Sequence, residues 1–135
     1  MDLEILKIAS HNENNKNISN HTHYSKLRNS MCGDEIRIKL IIKNDKIVDF
    51  GYQGNVCIYC QASASLLSKI SINKKKNTIY KLCDEVELYL KGNYENYKNK
   101  CSSFKKLFKQ KNLSRKDCIL LPFRALKKIL MSKYV

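Results

Sequence analysis

The sequence predicts an α+β fold, a small antiparallel sheet with helices packed on one face. Three observations carry this expectation. Residues 36–42, Ile-Arg-Ile-Lys-Leu-Ile-Ile, alternate for most of their length as a half-buried strand does. Asn44-Asp45, set among lysines, makes a turn into a second β-rich run over residues 47–52, giving an antiparallel hairpin. Further on, Ile79, Leu82, Val86 and Leu90, and then Phe123, Leu126, Ile129 and Leu130, recur near helical spacing.

Taken in order, residues 3–9 (Leu-Glu-Ile-Leu-Lys-Ile-Ala) place apolar side chains as a short helix would. Residues 11–23 are rich in Asn and His and read as an exposed loop. His21 and His23 lie close together there, but nothing nearby supplies the further ligands of a metal site, so they read as solvated. The hairpin brings Asp34, just before its first strand, to the same end as Gly54–Cys57, just after its second. Residues 61–70 form a helix in which Ala62, Ser63, Ala64 and Ser65 allow close packing. The helix over 78–90 stops at Gly92, with Cys83 as a core thiol. Residues 92–103 are polar and read as a loop or frayed helix, and Cys101 within it has no ligand-like neighbour. Residues 104–108 make a short helical turn. Ser114-x-x-Asp117 has the form of a capping box opening the last helix, with Pro122 in an early turn or at a kink. No repeat or linker interrupts residues 1–135, which are expected to be one domain.

Composition narrows the function classes. No apolar run approaches the 18 or more residues of a membrane span, and no secretory h-region opens the chain, so the expectation is a soluble intracellular protein without a membrane partner. The net charge of +14 invites a nucleic-acid reading, but it comes from 22 Lys and only 4 Arg spread along the chain. Lys, Asn and Ile share A/T-rich codons, so genome composition accounts for the charge without an anionic partner. A basic nucleic-acid-binding module with a structural zinc ranks last, since neither a recognition helix nor clustered Arg is present.

The six cysteines (32, 57, 60, 83, 101 and 118) point, in a reducing compartment, to metal binding, thiol chemistry or buried thiols. The stretch from Gly54 to Leu67 sets Cys57 where an extended segment gives way to a helix. There the helix dipole is expected to lower its thiol pKa. Met31-Cys32-Gly33-Asp34 and Asp117-Cys118-Ile119-Leu120-Leu121-Pro122 are expected to meet it as three loops around one metal or cluster site. Zinc and iron–sulfur clusters both accept such thiolate-rich sets. Cys57-x-x-Cys60 is the sole CxxC, however, so spacing alone leaves two readings open, a shared site and unrelated buried thiols.

Cys32-Gly33-Asp34, the run from Asp49 to Cys57, Gln61-Ala62-Ser63-Ala64-Ser65, and the run from Cys118 to Leu126 together resemble the U-type iron–sulfur cluster scaffolds. That family comprises the IscU and SufU proteins and the N-terminal domain of NifU. The resemblance spans roughly residues 24–131 and implies a SufE/NifU-like fold. The long separation of Cys57 and Cys118 places the chain nearer the SufU-like branch, which carries an insertion there. The resemblance also implies Cys32, Cys57 and Cys118 as ligands of the cluster or metal, with Asp34 as the carboxylate that tunes the site. The chain departs from the IscU branch in two places. Asp117 stands where that branch has a histidine ligand, and its chaperone-recruiting proline-rich peptide is absent from residues 111–116.

The function implied is a non-enzymatic scaffold for a transient iron–sulfur cluster. It takes sulfur from a cysteine desulfurase and passes the cluster to apo acceptor proteins, in the cytoplasm or in the matrix or stroma of an organelle. The alternative is a SufU-type sulfurtransferase in which zinc occupies Cys32, Asp34, Cys57 and Cys118, with Cys118 or Cys57 as the sulfur acceptor. Cys60, outside the usual ligand positions, reads as a packed thiol on the first helical turn.

Overall fold

The computed structural model describes residues 3–92 and 102–131. Helix α1 (Leu3–Ala9) leads into a three-stranded antiparallel sheet, β1 (His23–Arg28), β2 (Glu35–Lys43) and β3 (Lys46–Asn55), in the order β1-β2-β3. Helices α2 (Ile58–Ser71) and α3 (Lys76–Leu90) follow, then two 3-10 turns (Ser102–Lys106 and Gln110–Arg115) and α4 (Lys116–Leu130). The predicted α+β architecture is the one observed.

The hairpin forms as its sequence demands. Asn44 and Asp45 both take positive φ, 52° and 63°, the left-handed pair that a two-residue turn needs to match the strand twist. Alternation then puts Ile36, Ile38 and Leu40 of β2 and Phe50 and Tyr52 of β3 on one buried face. A register shift between Ile41 and Ile42 pairs Ile42 with Ile47 and leaves Val48 the extra residue. On that face α2 and α4 pack, with Leu67, Ile119, Phe123 and Leu126 fully enclosed. Each such side chain contributes roughly 1.5–3 kcal/mol by leaving water.

The structure corrects the sequence reading in three places. Residues 11–23 are not wholly an exposed loop. Asn14 and Ile18 are buried, and His23 opens β1, a strand that polar His-Tyr-Ser-Lys-Leu-Arg conceals because only Ser25 is buried along it. His21 and His23 hydrogen-bond locally, to the Ile18 carbonyl and the Thr22 hydroxyl. Ser114 does not cap the last helix. It lies inside the second 3-10 turn, which runs straight into α4, and Arg115 holds the cap position without a side-chain bond. The helix expected to begin at Gln61 begins at Ile58, so Cys57 is its N-cap. Cys83 is fully buried and Gly92 (φ 103°) ends α3, as expected. Cys101 and residues 93–101 lie outside the described residues.

Candidate metal centre

Strand pairing sets the site. Arg28 pairs with Glu35, and Glu35 with Asn55. The β1–β2 loop and the exit of β3 therefore share one end of the sheet. The loop is tied shut by its own backbone. The Asn29 N–H donates to the Asp34 carbonyl (2.7 Å), the Gly33 N–H donates to the Asn29 carbonyl (2.8 Å), and the Asn29 carboxamide oxygen accepts from the Met31 N–H (2.9 Å). Gly33 sits at φ 79°, a conformation that residues with a Cβ rarely adopt. Gly54 is required for a different reason. A Cβ there would come 2.1 Å from the Glu35 carbonyl oxygen, so only glycine lets β3 pass this close.

Cys57 caps α2 in an extended conformation (φ −71°, ψ 168°). Its backbone N–H donates to Oδ2 of Asp34 at 3.1 Å. The carboxylate thus fastens the start of α2 to the hairpin, as a capping-box acid would from within a helix. Cys118 is the third residue of α4 and 4% exposed. Its Sγ lies 3.8 Å from Sγ of Cys32. The sulfurs of Cys32 and Cys118 and a carboxylate oxygen of Asp34 all lie within 4.8 Å of one another. Two thiolates held about 2.3 Å from one tetrahedral ion stand roughly 3.8 Å apart, so the Cys32–Cys118 spacing suits a shared metal. Cys57 stands beside that triad, and its thiol interacts with both Asp34 and Cys118.

The expected meeting of three loops is therefore a meeting of one loop with two helix N-termini. Cys32 is exposed on the loop, Cys57 is half-buried and Cys118 is buried. The helix dipole was expected to lower the Cys57 pKa, and the net effect is the reverse. Burial pushes the thiol up, and Asp34 adds to the rise, while the Cys60 N–H and the Cys118 thiol pull the other way without prevailing. Cys118 is raised strongly, by burial first and then by Cys57 and Cys32. Buried thiols crowded beside a carboxylate hold their protons until a cation compensates the charge, which couples metal binding to proton release. Cys60 lies wholly inside, its pKa raised chiefly by burial, as a packed thiol should be.

Two contributors escaped the sequence reading. Asn29 organises the Cys32 loop, and an Asn opening an Asn-Ser-Met-Cys-Gly-Asp run is a turn signal that marks it. Arg115 stacks on Tyr59, its guanidinium carbon 5.6 Å from the ring centroid, joining the segment before α4 to the first turn of α2. No local signal in the sequence pairs those two residues. Asp117 has its Oδ1 3.9 Å from the Arg124 guanidinium.

Comparison with known proteins bears on the family and the fold. The model of the NifU-like N-terminal domain matches residues 3–111, ending before Cys118. An uncharacterised protein of Borreliella burgdorferi is 34% identical over 129 residues, 96% of this chain and 88% of that protein. The iron–sulfur cluster assembly scaffold protein IscU of Thermotoga maritima is 31% identical over 105 residues, 76% of this chain and 72% of that protein. In fold, the chain superposes with a TM-score of 0.83 on FiSufU of Fervidobacterium islandicum AW-1, described as a scaffold protein for the SUF system. That match has 22% identity and covers 96% of each chain. The motif set and these matches lead to one conclusion: the chain belongs to the NifU-like N-terminal domain family, the U-type iron–sulfur cluster assembly scaffolds.

Proposed function

We propose that the chain, as one domain over residues 1–135, holds a nascent iron–sulfur cluster on Cys32, Asp34, Cys57 and Cys118. It receives sulfur from a cysteine desulfurase and passes the cluster to apo acceptor proteins in the cytoplasm or an organelle's matrix or stroma. The observation that carries this reading is the convergence of two thiols and a carboxylate within 4.8 Å, with a third thiol at the adjoining helix N-terminus. Three soft thiolates secure iron, and the harder carboxylate is the donor an incoming acceptor thiol displaces most readily. The exposed Cys32 loop gives that acceptor a way in.

The test is anaerobic purification followed by measurement of iron, zinc, acid-labile sulfide and the visible spectrum. A labile iron–sulfur chromophore after reconstitution is expected. Cys32→Ser, Cys57→Ser and Cys118→Ser should each lose most of the bound metal, whereas Cys83→Ser keeps it. Wild-type metal content in all three loop and helix variants would remove the shared site.

A second reading is favoured by the graded exposure of the thiols. Zinc on the same four residues would fix the segments and hold the thiols deprotonated. A thiolate freed from it would attack the terminal sulfur of the desulfurase persulfide, taking that sulfur as its own persulfide while the desulfurase thiolate departs. Of the acceptors Cys57 and Cys118, the half-buried Cys57 is the more accessible. Zinc at one per chain that resists replacement by iron and sulfide would establish this reading over the scaffold.

A further inference from the structure

At the other end of α2, its last turn and the first turns of α3 enclose a groove of about 700 Å³, within the range of pockets that bind ligands. Its floor is apolar, built from Ile70 and Ile72 at the end of α2 and Leu82 on α3. Lys69, Lys74 and Lys81 line it from three different segments, against a single acid, Glu85. Lys69 is shared with Glu13 at 3.1 Å. Lys74 and Lys81 have no ion-pair partner among the described residues. An apolar trough edged by unneutralised cations calls for a ligand with the opposite arrangement.

We propose that this groove docks a short acidic peptide segment of a partner protein, apolar side chains on the floor and carboxylates against Lys74 and Lys81. A single fatty-acid headgroup would engage cations gathered at one point. Here the cations come from α2, the α2–α3 connection and α3, and a chain with several carboxylates meets all of them. The 14 residues of α2 separate the groove from Cys57 by about 20 Å. A partner held there leaves the cysteines open, so a scaffold could keep a protein tethered while the other end exchanges its cargo. This purpose rests on the proposed scaffold function; the groove and its ligand do not.

The experiment selects a phage-displayed random peptide library on the full chain at low salt, then measures the enriched peptides by fluorescence anisotropy. Enriched peptides should place Asp or Glu beside Leu, Ile or Phe. Their affinity should fall at least tenfold for the Lys74→Glu/Lys81→Glu double variant and for Leu82→Glu, and fall with added salt. The lysines are at the surface, so the double variant keeps the fold, which its circular dichroism melt verifies if Leu82→Glu unfolds. Enriched peptides without acidic residues, or equal binding to the double variant, overturn the proposal. So does selection lost in Cys32→Ser but retained in the double variant, which would put the peptide at the cysteines. Dodecanoate binding below its micelle concentration, lost in the double variant while no acidic peptide is enriched, would overturn it in favour of an amphiphilic lipid. Metal content is measured in parallel. A wild-type chain that binds acidic peptides but neither iron nor zinc would sink the scaffold reading and leave the groove standing.

Discussion

Asp34 joins a bond that the structure shows to a ligand role that we propose. It accepts the Cys57 N–H at 3.1 Å and stands within 4.8 Å of the sulfurs of Cys32 and Cys118. The two can be separated because an amide oxygen caps but does not bring a negative charge to a metal. Asp34→Asn should keep the metal-free stability near wild type, while Asp34→Ala loses about 1 kcal/mol in urea unfolding. Both should bind metal more weakly. Equal stability of all three proteins would mean the cap contributes nothing. Asp34→Cys should instead hold a cluster longer and slow its transfer to an apo-ferredoxin, since a fourth thiolate removes the exchangeable corner. Transfer at the wild-type rate would deny Asp34 that role. Cys83 offers a test of burial away from the site. Burial pushes its thiol far up, with the Lys127 ammonium opposing. Folded Cys83 therefore stays neutral where the unfolded thiol ionises. Its contribution is intact below the ordinary thiol pKa near 8.5 and lost above it, at about 1.4 kcal/mol per pH unit. The stability difference between wild type and Cys83→Ala should accordingly shrink between pH 8 and pH 10; a constant difference would refute the burial argument.

Among the elements, α4 decides where Cys118 goes. Pro122 inside it has no N–H to give the Cys118 carbonyl and crowds that turn. The next carbonyl, that of Ile119, accepts the Ser63 hydroxyl of α2 at 2.6 Å. The first turn of α4 is thereby bonded sideways to the helix that Cys57 caps. Glu87 of α3 braces the far side, receiving the Arg124 guanidinium at 3.2 Å and the Lys127 ammonium at 3.3 Å. Ser63→Ala removes this bond between the two helices and should cost about 1 kcal/mol, read from the urea midpoint at unchanged slope. A loss below about 0.3 kcal/mol would show that this bond contributes little.

For the molecule as a whole, 26 basic residues face 12 acidic ones. Ion pairs such as Lys16–Asp49 and Lys76–Asp45 lie at the surface and stabilise little. Among the described residues no helix is long and apolar enough to cross a membrane. The surplus charge should bind duplex DNA weakly and without sequence preference, the affinity falling steeply between 50 and 200 mM salt. Tight binding to one sequence at physiological salt would restore the nucleic-acid reading that composition alone suggests.

The hairpin and the apolar faces of α3 and α4 were legible in the chain, because each rests on local periodicity or turn chemistry. Strand β1 was not. Its burial comes from the neighbours it meets, Leu40, Ile38 and Ile36 across the ladder, rather than from its own residues. The first turn of α2 was only partly legible, with Cys57 expected at the helix N-terminus but the helix itself bounded at 61–70, for a related reason. Asp34, 23 residues earlier, supplies the cap that no neighbouring side chain provides. Sequence could nominate Cys32, Asp34, Cys57 and Cys118 but not rank their exposure. Nor could it foresee that burial outweighs the Cys60 N–H at the Cys57 thiol. Desolvation and distance are set by the packing of α2 and α4 against the sheet, and only the tertiary structure determines that packing.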